Sequence, residues 1–106
     1  TMPTEQFTFR ALADPTRRQI LRLLNSQDMT IGELTEQFPM TRAAVKKHLG
    51  ILEEGGLVNV EIKGRERINR LQRDAFAVVT EWMEGFEAPA EDRLAALRRS
   101  VAKEWG

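Results

Sequence analysis

The chain has 106 residues, enough for one domain with one modest core that dimerisation could reinforce, and its 16 Lys and Arg balance 16 Asp and Glu. It contains no cysteine, which excludes disulfides, thiolate metal sites and thiol redox switching. No apolar run is long enough to span a membrane and no signal peptide is visible, so a cytoplasmic location without a membrane partner is expected.

Thr1, ahead of Met2, reads as an expression remnant and is set aside. A first helix is expected from about Glu5 to Leu12, too short to be stable alone. Its Phe7 and Phe9 need a partner surface, either the chain's own core or a second subunit. Asp14-Pro15 is a strong helix start, because Asp can cap orphan N–H groups and Pro fits the first helical position. The second helix then runs to about Asn25. Ile20, Leu21, Leu23 and Leu24 face the core, with Arg17, Arg18 and Arg22 on the other side. Arg17 and Arg18 are either solvated or within reach of a phosphate.

Thr30-Ile31-Gly32-Glu33 is a Thr-x-x-Glu capping box. It opens a third helix with a stripe of Ile31, Leu34 and Phe38, which Pro39 ends. Thr41 is the N-cap of a fourth helix, and Met40 before it can staple onto Val45. Val45, Leu49 and Leu52 form its apolar stripe, while Arg42, Ala43, Lys46 and Lys47 lie off it. Gly55-Gly56 stops the helix. Val58, Val60 and Ile62 alternate with polar residues at the strand period, Gly64 marks a turn, and Glu66 to Leu71 returns. The hairpin tip carries Lys63, Arg65 and Arg67.

The remainder is helical. One helix is expected from about Asp74 to Glu87, with Phe76, Val79, Met83 and Phe86 on one face and Trp82 beside them. Ala88-Pro89 interrupts it, and a last helix carries Leu94, Leu97, Val101 and Trp105. This apolar surface is either an intramolecular lid or a dimer interface. The second is the preferred reading, with Phe7, Phe9, Trp82, Met83, Phe86, Leu94, Leu97, Val101 and Trp105 at the interface. The expected fold is mainly α with a β-hairpin wing. It is a single winged helix-turn-helix domain over 1–106, with N- and C-terminal dimerisation helices and residues 73–106 as the dimerisation region.

The order of helix, turn, basic helix, glycine stop and basic hairpin makes double-stranded DNA the leading candidate partner. Between Met40 and Arg73 the bases are Arg42, Lys46, Lys47, Lys63, Arg65, Arg67, Arg70 and Arg73, against Glu53, Glu54, Glu61 and Glu66. The charge is therefore segregated toward one basic face. A helix fits the major groove and reads base edges with its N-terminal residues. In helix 41–54 these are Thr41, Arg42, Ala43 and Lys46. Arg42 can pair with a guanine edge and Ala43 can approach a thymine methyl. Lys46 reaches a base or a phosphate, and Lys47 a phosphate. The 63–67 wing, with Lys63, Arg65 and Arg67, suits the minor groove. His48 either packs at the edge of its helix or contacts a phosphate. A lone histidine cannot build a multi-ligand imidazole metal site, and no cofactor is expected.

Leu12-Ala13-Asp14-Pro15-Thr16-Arg17-Arg18-Gln19-Ile20-Leu21 resembles the opening signature of the ArsR/SmtB-type winged-helix transcriptional regulators. Residues 41–52 (TRAAVKKHLGIL) resemble that family's recognition helix, and Glu54-Gly55-Gly56-Leu57-Val58 with Lys63-Gly64-Arg65 its helix stop and wing. The Trp82, Phe86, Arg93-Leu94 and Leu97 pattern resembles a metal-independent subgroup. The resemblance implies a homodimer built through the first and last helices and repression by occupying a palindromic promoter site. In many members it also implies release by a ligand, and no effector is identified for this chain. Thr30 and Gly32 stand where the family's helix-3 thiolates would be, and no histidine stands where its C-terminal metal site would be, so no metal is expected. Pro39 replaces a frequent glycine in the turn, so the turn must differ. Asn69 replaces a frequent aromatic on the second wing strand, which is expected to loosen the wing.

Two other functions compete. A winged helix can serve as a protein–protein interaction module without DNA binding, since fold does not fix function. An enzyme needs a nucleophile with a base, paired carboxylates or a metal. One histidine beside two lysines, no cysteine and no Gly-rich phosphate loop make that reading the weakest.

Overall fold

A computed structural model describes residues 3–86 and 90–105, with side-chain surroundings for all of these except Pro3, Thr4, Ala90, Glu104 and Trp105. The expected break at Ala88-Pro89 and the expected interface side chain of Trp105 lie outside the described residues.

In chain order the elements are α1 (Pro3–Leu12), α2 (Pro15–Ser26), β1 (Met29–Thr30), α3 (Ile31–Thr35), α4 (Arg42–Glu54), β2 (Val58–Lys63), β3 (Glu66–Leu71), α5 (Phe76–Glu84) and α6 (Ala90–Trp105). A 3-10 turn over Arg73–Ala75 leads into α5. The core is one cluster that draws Ile20, Leu21 and Leu24 from α2, Leu34 from α3, Val45, Leu49 and Leu52 from α4, and Leu57 and Val58 from the start of the wing. Met40 packs against it, as a staple at the entrance of α4 should.

Three helix starts form as expected. The Asp14 carboxylate accepts the Arg17 backbone N–H at 3.0 Å. Thr30 and Glu33 form the reciprocal capping box, at 3.1 and 2.8 Å. Thr41 Oγ1 accepts from Ala44 N at 3.1 Å. At the end of α4 the two glycines do different work. Gly56 takes the left-handed conformation, with φ 75°. Gly55 permits a close approach, because a Cβ there would lie 2.8 Å from the Phe7 carbonyl oxygen. Thr8, fully buried, donates to the Gly55 carbonyl at 2.8 Å and locks α1 over the end of α4.

Several expectations are corrected. Helix α3 ends at Thr35 instead of reaching Phe38. Pro39 disfavours helical backbone at the residue before it, and Gln37 and Phe38 close with shorter turn bonds to Leu34 and Thr35. The turn into α4 contains no left-handed residue, which is the conformation a Pro39-containing turn allows. The wing is a three-stranded antiparallel sheet in the order β1-β3-β2 rather than a two-stranded hairpin. Met29 pairs with Asn69 and Thr30 with Ile68. Asn69 does not loosen the wing: it is buried, and its side-chain amide donates to the Met29 carbonyl at 3.1 Å. The helix expected from Asp74 to Glu87 is shorter, with α5 spanning Phe76–Glu84.

Candidate nucleic-acid interface

The first two turns of α4 face solvent. Thr41, Arg42, Ala43, Lys46 and Lys47 are all exposed, while Val45 and Leu49 between them are buried. The helical period thus pins one face to the core and leaves the basic face free. The hydroxyl of Thr41 is used in its own cap.

The wing stands beside this face. Gly64, with φ 62°, turns the chain at the tip, where Lys63, Arg65 and Arg67 are exposed. Arg42, Arg65 and Arg67 line one cleft together with Ile31 and Gly32. Arg42, Lys46 and Arg67 line an adjoining one with Gly50 and Asn69. The tertiary fold therefore brings four basic side chains, from α4 and from the wing, to two clefts that share Ile31, Arg42 and Arg67, with Glu53 and Glu66 also in their walls. Lys63 Nζ lies 3.9 Å from Glu61, so part of its charge is offset locally.

His48 stands apart from that group. Its half-buried ring faces the start of α2, with Nδ1 3.3 Å from Arg17 Nη1 and 4.0 Å from the Asp14 carboxylate. Arg17 Nε donates to the Ala11 carbonyl at 2.8 Å and Nη2 to the Arg10 carbonyl at 2.9 Å. Arg18 Nη1 donates to the Leu12 carbonyl at 2.8 Å. Both arginines thus satisfy orphan carbonyls at the end of α1 and stabilise its negative dipole end. The Asp14 carboxyl is held below its ordinary value of 3.8, chiefly because its carboxylate accepts the Arg17 backbone N–H, with the Arg17 and His48 charges adding to this against the cost of burial.

Sequence reasoning counted Arg70 only as part of a basic stretch. In the fold it clamps the sheet, with Nε 2.9 Å from Asp28 and Nη2 2.7 Å from Glu61. No local signal could have shown this, because Asp28 lies 42 positions earlier and meets Arg70 only through β1.

Of the expected dimer residues, Phe9, Trp82 and Phe86 meet in a second group. The Phe9 and Trp82 rings meet edge-on at 5.7 Å and Trp82 and Phe86 at 4.8 Å, which ties α1 to α5. Several of the expected residues remain open to solvent: Phe7 36%, Trp82 52%, Met83 61% and Phe86 69%. On α6, Leu94, Leu97 and Val101 are also exposed. No helix is long and apolar enough to cross a membrane, and no group of three or more His, Cys, Asp or Glu is placed to hold a metal ion, among the described residues.

A short helix packed on a solvent-facing basic helix, followed by a basic hairpin, defines a winged helix-turn-helix protein of the DNA-binding type. Residues 14–60 match the family model described as bacterial regulatory protein, arsR family. The chain is 35% identical over 78 residues to the transcriptional repressor SdpR of Bacillus subtilis, across 74% of this chain and 87% of that one. An ArsR-like transcriptional regulator from Rhodococcus sp. RHA1 superposes with a TM-score of 0.71 at 32% identity, covering 91% of each chain. A homodimeric winged helix-turn-helix DNA-binding domain from Mycobacterium bovis gives 0.64 at 25% identity, over 95% of this chain and 80% of that one. The chain belongs to the ArsR family of bacterial transcriptional regulators.

Proposed function

We propose that this regulator is a cytoplasmic homodimeric repressor that inserts helix 41–54 into the major groove and lays the 63–67 wing against the minor groove of a palindromic operator. The observation that carries this reading is the pair of adjoining clefts lined by Arg42, Lys46, Arg65 and Arg67. Arg42 and Ala43 supply base contacts, with Lys46 reaching a base or a phosphate. Lys47 and Lys63 supply phosphate contacts, and Arg65 and Arg67 the wing contacts. His48 acts as a brace behind the helix rather than as a base reader. The Mycobacterium bovis neighbour is homodimeric, and the open aromatic surface of α1 and α5 with the stripe of α6 supports the same assembly here. Large exposed apolar patches mark interaction sites, and these side chains are the exposed large apolar ones of α1, α5 and α6. Residues 73–106 are the dimerisation region in this reading. No metal takes part. The hydroxyl of Thr30 and the carboxylate of Glu33 are already spent on the α3 cap.

The test is selection of binding sequences from a random duplex pool, with the mass of the same sample measured by light scattering. A palindromic site recovered by a dimer is the expected result. A dimer that enriches no sequence, or a monomer, would instead favour an interaction module that does not bind DNA.

A further inference from the structure

An apolar groove opens at the base of the hairpin, where α2 faces the end of β3 and the start of α5. Its volume is about 530 Å3, inside the range of roughly 300–1,000 Å3 usual for small-ligand sites. Leu21, buried, and the half-buried Leu12, Leu71 and Phe76 form the floor. The exposed side chains of Arg18, Arg22 and Arg73 form the rim. None of the described residues that line it is acidic.

Among the described residues nothing compensates the charge of the rim arginines. Arg18 donates to the Leu12 carbonyl at 2.8 Å and Arg73 Nη2 to Asn25 Oδ1 at 2.9 Å, and both acceptors are neutral. Among the described residues, no carboxylate lies within ion-pair range of Arg18, Arg22 or Arg73. The DNA-facing tip is at the far end of β3, roughly 17 Å away at about 3.4 Å per residue.

An apolar floor under three unneutralised guanidinium groups complements one kind of occupant, a molecule with an apolar body and an anionic head. We propose that this groove binds a small amphiphilic anion, an organic carboxylate with an aliphatic or aromatic body. A guanidinium donates two parallel hydrogen bonds to a carboxylate, and the chain of the ligand covers Leu21, Leu71 and Phe76. Helix α6 of a second copy is the wrong occupant, because its sequence carries four basic side chains against three acidic ones and would bring positive charge to a positive rim. The walls belong to α2 and to the joint between β3 and α5, so the bound anion bridges the winged domain and the aromatic helix. This site goes beyond DNA recognition and does not depend on it.

The experiment is calorimetric titration of the full chain with sodium decanoate below its micelle-forming concentration, with decanol and acetate as controls. One decanoate per subunit is expected, with decanol at least tenfold weaker and acetate giving no heat. Arg22→Glu sits at an exposed position and should weaken decanoate at least tenfold while leaving Tm, molecular mass and DNA affinity unchanged. Arg99→Glu, an equal charge change on α6, should leave decanoate binding intact. Absence of binding would overturn the proposal. So would decanol binding as tightly as decanoate, or equal losses in the two variants, either of which would move the chain to the exposed Trp82–Phe86 patch. Displacement of decanoate by duplex DNA, with Arg22→Glu weakening every duplex, would reassign the arginines to DNA phosphates.

Discussion

Arg17 Nη1 lies 3.3 Å from His48 Nδ1, so the first turn of α2 touches the back of the recognition helix while the same guanidinium holds the last carbonyls of α1. Arg17 thus joins the Thr8–Gly55 hydrogen bond in positioning α4 relative to the helix that carries Phe7 and Phe9. Arg17→Ala is expected to cost about 1–3 kcal/mol, the scale of hydrogen bonds made by a charged donor, read by urea unfolding. Affinity should fall alike for cognate and scrambled duplexes, since no base contact is lost. An unchanged unfolding midpoint would contradict this bracing role.

The two glycines on and after α4 make opposite predictions for the same substitution. At Gly55 a new Cβ would meet the Phe7 carbonyl oxygen at 2.8 Å, and backbone cannot step aside. Gly55→Ala should therefore destabilise by about 1–3 kcal/mol, as overpacking does. At Gly50 nothing lies within 4 Å of the added carbon, and the position is inside a helix. Gly50→Ala should stabilise by about 0.5–1 kcal/mol through reduced unfolded-state freedom. Thermal unfolding of both variants checks the pair.

In the proposed DNA-binding mode, base reading and phosphate anchoring fall to different residues of α4. Arg42→Ala should lower affinity for the selected site by about 1–3 kcal/mol and relax preference at one base pair. Lys47→Ala should weaken all duplexes alike and flatten the dependence of log K on log salt by about one phosphate contact. Competition binding with cognate and scrambled DNA at several salt concentrations distinguishes them. Equal losses on both DNAs for Arg42→Ala would remove it from the base-reading role.

The Asp14 cap confers pH dependence with a defined sign. Its carboxyl is held below 3.8 in the folded chain, so the folded state binds fewer protons there than the unfolded state. The contribution is fully present above about 3.8 and is lost as the pH falls through the lower folded value. Asp14→Asn keeps a capping oxygen but cannot titrate. Its Tm should therefore fall less steeply than that of the unaltered chain between pH 4 and pH 2, and the two should be close near neutrality.

The starts of α2, α3 and α4 and the stop of α4 were legible because each rests on neighbours in the chain. Asp14-Pro15, Thr30 with Glu33, Thr41, and the Gly55-Gly56 stop all act over three or four residues. The basic face of α4 and the basic wing tip were legible for the same reason, since periodicity alone separates Val45 and Leu49 from Arg42 and Lys46. What escaped is long-range. Strand β1 has two residues, too few to show alternation. Asn69 reads as a loosening of the wing, in place of a frequent aromatic, until its amide finds the Met29 carbonyl 40 positions away. Arg17 and Arg18 look like a solvated face until α1 turns its carbonyl end toward them.

Local chemistry by itself therefore determined the order of the helices, three of their caps, the hairpin of the wing and the basic character of residues 41–67, because those depend on backbone geometry and on side-chain spacing. Only the tertiary structure decided which arginines are held. Arg17, Arg18 and Arg70 are held by carbonyls or carboxylates brought to them from distant segments. Arg42, Arg65 and Arg67 are left facing one cleft. A guanidinium has the same charge in every case, and what differs is whether folding places an acceptor within hydrogen-bond reach of it.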